Sequence, residues 1–397
     1  MFRRIRALAR FLPPQACPRA LPSQGFVKQV AKDSDSGPLW WICLIVTVRL
    51  SSHKEFRMSL NRAVSVFGAY GHTGRFVVSE LRKRGCIPIL AGRDAAKLRA
   101  LGDVHRGSEV RVAAVDDPAS LDHALSGAAA VINCAGPFLD TAGAVIDAAL
   151  RARIHYLDVA AEQAAVLSVF ECFGNSARDT AVVVIPAMAF YGGLGDLLAT
   201  AAMASWEYAD EITIAVSLDS WKPTRGTRVT GQRNAGRRLV FTKNKLERGD
   251  PQPPRIWDFP PPFGRQDVEG ISLSETITIS QHLRTQEIRV YLNHSAIMDV
   301  RNPDTPPPTP ADDTGRSSQV FLMDVIVRKG RAERRAVARG RDIYAVSAPI
   351  VVEAAQRAIN GLAKSTGAVP AGQAFDARDF LNSLCPEHLS FEIQSDG

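Results

Sequence analysis

The sequence contains no Gly-Lys dipeptide, which excludes a Walker-type phosphate loop, whose lysine follows its last glycine. None of the six tyrosines has a lysine four residues later, so the Tyr-x-x-x-Lys pair of short-chain dehydrogenases is missing as well. The eight histidines show no H-x-H, H-x-x-x-H or H-E-x-x-H spacing, and a metal site therefore has no support. The six cysteines (17, 43, 86, 134, 172 and 385) include no C-x-x-C pair. That argues against a disulfide framework and fits a reducing, cytoplasmic compartment. The apolar stretch "LWWICLIVTV" is about half the length a helix needs to span a bilayer, so no integral membrane segment is expected.

Charge is also scarcer than the totals suggest. The net charge of +7 comes from residues 1–57, where ten Lys or Arg face three acids; the remainder carries 38 of each sign. A neutral body gives no electrostatic footprint for nucleic acid. The Arg-rich start "MFRRIRALARFLPPQACPRA" has the composition of a transit peptide. Translation starting at Met58, one short step before the first strand, is the competing reading of this leader.

What remains is a soluble globular composition, 46% hydrophobic and 22% charged, over 397 residues, enough for two domains. From residue 63, short β-branched runs alternate with helical stretches: "AVSVF", "CIPILA", "EVRVAAV", "AAVINCA", "IHYLDVA" and "AVVVIPA". Their continuous apolar character suits strands buried on both faces of a parallel sheet. Six such strands joined by helices predict a doubly wound Rossmann domain over residues 58–209. Residues 210–342 read as a second, mostly antiparallel α+β domain for substrate or dimerisation, with a homodimer left open. Within it "ISLSETITISQHL" reads as a strand, residues 301–318 as a loose surface loop, and 343–397 as a helical segment packing back on the first domain.

The stretch "VFGAYGHTGR" places Gly68, Gly71 and Gly74 between the first strand and a helix, the context in which such a spacing signals a dinucleotide. A helix start offers free N–H groups and a positive dipole end to a pyrophosphate. His72 in the loop is either a donor to phosphate or a solvent-facing turn residue. At the end of the second strand, where an NAD site places an acid, the sequence reads Gly92-Arg93, and Asp94 caps the next helix. Arg93 can form a forked pair with a 2′-phosphate, so NADP(H) is expected rather than NAD(H).

The segments "VFGAYGHTGR", "LAGRDAAKL", "VINCAGPF", "AALRARIHYLDVAAE", "PAMAFYGGLGDLLA", "SETITISQHL" and "GRDIYAVSAPIVVEA", in this order, resemble the saccharopine dehydrogenase-like oxidoreductases, and most closely their stand-alone reductase-like branch. The resemblance implies an NADP(H)-dependent reductase acting on a C=N or C=C bond of a small molecule. It places Gly68, Gly71, His72, Thr73 and Gly74 at the phosphates, Asp116 by the adenine, and Cys134, Ala135 and Gly136 near the nicotinamide ribose. It puts Tyr156, Asp158 and Glu162 near the substrate, with Asp158 or Tyr156 as candidate proton donor. Relatives often carry Thr-Gly before that Glu where this chain has Ala160-Ala161. A catalytically silent dinucleotide-binding sensor is the alternative, and the sizeable second domain favours the enzyme.

Overall fold

The computed structural model describes residues 63–234 and 238–395; the leader expected at residues 1–57 lies outside them. Strands β1 (Ala63–Phe67), β2 (Ile87–Gly92), β3 (Glu109–Val112), β4 (Ala130–Asn133), β5 (His155–Asp158) and β6 (Val183–Ile185) alternate with five helices. These are α1 (His72–Lys83), α2 (Ala95–Val104), α3 (Pro118–Leu125), α4 (Phe138–Ala152) and α5 (Gln163–Asp179). The strands are all parallel, in the order β6-β5-β4-β1-β2-β3. This is the Rossmann order, and it reverses between β1 and β4. Alternate residues serve opposite faces: Val64 and Val66 enter one apolar core, while Phe67, Ile89 and Val131 enter another.

The second sheet is built on β7 (Ala209–Leu218), β8 (Leu239–Thr242), β9 (Lys245–Arg248), β10 (Arg255–Phe259), β11 (Gly264–Ile271), β12 (Thr285–Asn293), β13 (Val320–Lys329) and β14 (Ala332–Arg341). Its pairings are antiparallel except for β7 with β12, so the sheet is mixed. Helices α6 (Gly195–Met203), α7 (Arg225–Asn234), α8 (Ser274–Ser280), α9 (His294–Arg301), α10 (Ser347–Ile359), α11 (Ala371–Ala374) and α12 (Ala377–Ser383) complete the described helices. One continuous core joins β1 and β4 to β7 and β13 through α6 and α10. None of the described helices is long and apolar enough to cross a membrane.

Three expectations need correction. "SETITIS" is helix α8, although Thr276, Ile277, Thr278 and Ile279 are β-branched. Every residue from Ser274 to Ile279 is buried, and packing overrides a propensity worth only tenths of a kcal/mol per residue. The loop at 301–318 is irregular but tied down: Arg228 donates to the carbonyls of Asn302 (3.2 Å) and Thr305 (2.7 Å), and Arg341 binds Asp312. The C-terminal segment is not only helical. Its α10 does pack on α1, but β15 (Gly367–Ala368) extends the first sheet beside β6, and β16 (Leu389–Ser395) pairs with β14 in the second.

Candidate functional site

The glycine loop leaves β1 and turns under the end of β2, where the Gly68 N–H donates to Ala91 O at 2.8 Å. Gly68 has φ +84°, and a Cβ there would stand 2.8 Å from Ala135 N, so the exit of β4 presses directly against it. A Cβ on Gly74 would intrude on the Gly68 carbonyl, which fixes how closely α1 approaches β1. The first residue before α1 is Gly71, and no side chain caps the helix. The N–H groups of that first turn, around His72 and Thr73, are therefore available to a ligand.

His72 is half-buried, its ring edge-on to Phe76 and Tyr344 at centroid distances of 5.4 and 5.2 Å. Burial lowers its pKa, so it is a neutral imidazole, and its buried Nε2 has no partner. A buried ring nitrogen without a partner is thus left over beside the helix start.

Arg93 is exposed at the end of β2 and has no ion pair or hydrogen bond among the described residues. Asp94 accepts from Lys97 N at 3.1 Å as the cap of α2. The Lys97 ammonium is 5.6 Å above the Tyr70 ring, and that ring lies so close to Gly92 that a Cβ there would be 2.9 Å from it. Lys97, ion-paired with Asp94 at 3.1 Å, and the Tyr70 ring thus flank the turn that carries Arg93. Lys97 and Tyr70 were not foreseen, because their meeting depends on how α2 folds over the loop. Asp116 is exposed in the turn after β3, and its neighbour Asp117 caps α3.

At the exit of β4, Cys134 and Ala135 are half-buried and Gly136 is exposed. Burial pushes the Cys134 thiol up, leaving it protonated and unsuited to nucleophilic attack. The buried residue here is Asn133, which the sequence reading passed over. Its side-chain amide donates to Thr141 Oγ1 and Tyr156 Oη, each at 3.2 Å, while its Oδ1 accepts from Ala135 N at 3.0 Å.

Tyr156 and Asp158 lie on the same side of β5, and the phenol donates to Asp158 Oδ2 at 2.8 Å. Asp158 Oδ1 accepts from Ala160 N (3.0 Å) and Ala187 N (2.7 Å). Tyr156 is fully buried, Asp158 is 1% exposed, and each carboxylate oxygen is already engaged. Burial raises the Asp158 pKa to about 6, opposed by these hydrogen bonds. Glu162, likewise buried, accepts from Phe138 N (2.9 Å) and Leu139 N (3.2 Å) and from the Thr230 hydroxyl (3.1 Å). It anchors the start of α4 and reaches α7 of the second domain.

Beyond the end of β6, residues Phe190–Leu194 form a π-type turn with Gly192 at φ +92°. It leads into α6 and touches α8. Asp196 at the start of α6 is wholly buried, 2.6 Å from His282 Nε2 and 2.8 Å from Gly372 N. A cavity of about 350 Å³ lined by Tyr208, Lys243, Asn244, Arg284, Thr285 and Gln286 contains none of the expected site residues.

Comparison with known proteins agrees with this geometry. Residues 64–187 match the model of the saccharopine dehydrogenase NADP binding domain. A 143-residue stretch is 31% identical to the saccharopine dehydrogenase-like oxidoreductase of Bos taurus, and about as similar (30%) to that of Homo sapiens. Each match covers 32% of this chain and 33% of the relative, so the chain spans about a third of the length of these proteins. Apo saccharopine dehydrogenase (L-Glu forming) from Saccharomyces cerevisiae superposes with a TM-score of 0.61 at 12% identity, over 84% of this chain and 99% of that one. This last likeness shows a shared fold. The uncapped helix start, an Arg93 unpaired among the described residues and the matched segment point the same way: residues 64–187 are similar to a saccharopine dehydrogenase NADP-binding domain, and the cofactor that this segment fits is NADP(H).

Proposed function

We propose that this protein is an NADP(H)-dependent oxidoreductase that reduces a C=N or C=C bond of a small molecule. The observation that carries the reading is the uncapped start of α1 together with Arg93, exposed and unpaired among the described residues, groups that suit a pyrophosphate and a 2′-phosphate. When bound, NADPH supplies the hydride. The chain's residues bind and orient: the first turn of α1 holds the phosphates, Arg93 and Lys97 take the 2′-phosphate, and the exit of β4 lines the way to the nicotinamide.

In this reading Tyr156 and Asp158 are positioning residues. Through Asn133 and Ala187 they lock the ends of β4, β5 and β6 into one rigid rim, and their polar atoms are all engaged in doing so. The second sheet brings α8 onto that rim, where Ile277 packs with Phe138, Ala160 and Ala187. A reductase needs such a cover to exclude water from the reacting bond.

The test is NADPH oxidation, followed by its absorbance, against a panel of imines and enoyl thioesters. Turnover with at least one compound class, faster with NADPH than with NADH, is the expected result. Tight NADPH binding with no turnover would favour the silent sensor instead.

A further inference from the structure

Three buried side chains on two touching segments lack any hydrogen-bond partner: Tyr191 in the π-type turn, and Ser274 and Glu275 at the start of α8. Glu275 is 0% exposed, and both its carboxyl oxygens are unpartnered. The segments fit closely, since a Cβ on Gly192 would stand 3.0 Å from Ser274 Oγ and one on Gly195 would stand 2.8 Å from Glu275 Cγ. An unpartnered buried carboxyl is costly, and native proteins keep few of them. Burial, and then the nearby Asp196, push Glu275 up to about 7. The N–H groups of Gly192 and of Glu275 itself oppose this rise without forming well-shaped hydrogen bonds.

The position is as telling as the chemistry. Through Ile277, α8 rests on residues just past the ends of β4, β5 and β6, the edge at which open parallel sheets bind ligands. A run of aromatic groups connects this point to the glycine loop. The Tyr191 and Trp221 rings are 5.8 Å apart, Trp221 Nε1 donates to Tyr344 Oη at 3.0 Å, and Tyr344 meets His72 at 5.2 Å.

We propose that Glu275, assisted by Tyr191 and Ser274, is the proton donor and acceptor of this site, protonated while the cofactor is reduced and ionised when it is oxidised. The inference rests on the NADP(H) reductase reading and assigns a residue within it. Bound NADPH would supply a hydride, carrying both electrons, to one end of the substrate double bond. The Glu275 O–H bond breaks, and its proton goes to the nitrogen or carbon at the other end. The carboxylate left on Glu275 would balance the positive charge of the oxidised cofactor, so the net charge of the enclosed site would be conserved. A lone new charge there would go uncompensated in a low dielectric. The hydroxyls of Tyr191 and Ser274 donate to the carboxylate as it forms. Asp196, held by His282, resists that ionisation and keeps the resting carboxyl protonated.

The test needs only the cofactor. The full chain is titrated calorimetrically with NADP⁺ and with NADPH near pH 6.5, each in two buffers of different ionisation enthalpy. Both forms carry the same 2′-phosphate, so the difference in protons released reports on the nicotinamide end. NADP⁺ is expected to release up to one proton more than NADPH, and Glu275→Gln is expected to bind both forms with that difference gone. Should Glu275→Gln not fold, Tyr191→Phe replaces it: losing a donor to the carboxylate, it is expected to move the proton-release midpoint to higher pH. Equal release by both forms in the natural chain, a difference that survives Glu275→Gln, or an unmoved midpoint in Tyr191→Phe overturns the inference alone. No binding of either form overturns the reductase reading together with it.

Discussion

Two buried carboxyls in this protein have opposite surroundings. Asp158 answers two backbone N–H groups and a phenol, while Glu275 answers none. Asp158→Ala strands those donors in the interior and is expected to cost about 3 kcal/mol in urea unfolding, with Asp158→Asn losing less because it keeps an acceptor. For Glu275, a folded pKa near 7 against 4.5 unfolded means that the native state holds its proton longer. Its contribution is then absent below pH 4.5, grows unfavourable as pH rises, and is complete above pH 7. Glu275→Gln is expected to be more stable than the natural chain at pH 8 by about 3 kcal/mol, with no gain at pH 4. Equal urea midpoints at pH 8 would contradict this. On the surface, Arg93→Glu is expected to weaken NADPH by about 1–3 kcal/mol and leave NADH unchanged, measured by titration calorimetry. Equal loss for both forms would remove Arg93 from the 2′-phosphate.

Among the elements, the β1–loop–α1 unit separates folding from binding. Gly74→Ala places a methyl group against the Gly68 carbonyl and must push α1 off β1, so a lower melting temperature is expected. Gly71 is less crowded, with only the Gly68 oxygen near at 3.1 Å. Gly71→Asp is expected to fold and yet lose NADPH, since its charge opposes the phosphates at the helix start; retained binding in calorimetry would show that the pyrophosphate lies elsewhere. This unit was legible in the sequence because its signals are local: a strand, glycines at fixed spacing and a helix that follows at once. Helix α8 was not, because its seven residues are mostly β-branched and only the packing of distant segments makes them helical. The partners of Asp158 were hidden for a related reason. The strand alternation placed Tyr156 beside it, but Ala187 N arrives from 29 residues away.

Across the whole molecule, the two sheets share one apolar core through α6 and α10. Calorimetry is therefore expected to show one cooperative transition for residues 63–395 rather than two, and NADPH at a hundredfold excess over its Kd adds about 2.7 kcal/mol to it. Separate melting of the sheets would contradict the shared core. The strand order also sets a timetable. A ribosome delivers β6 by residue 185, but its outer neighbour β15 arrives only at residue 367. At about 5–20 residues per second, the edge of the nascent nucleotide-binding sheet stays bare for roughly 10–40 s. During that interval its unpaired N–H and C=O groups are open to any other extended chain, which makes this stage of synthesis the one most in need of a chaperone.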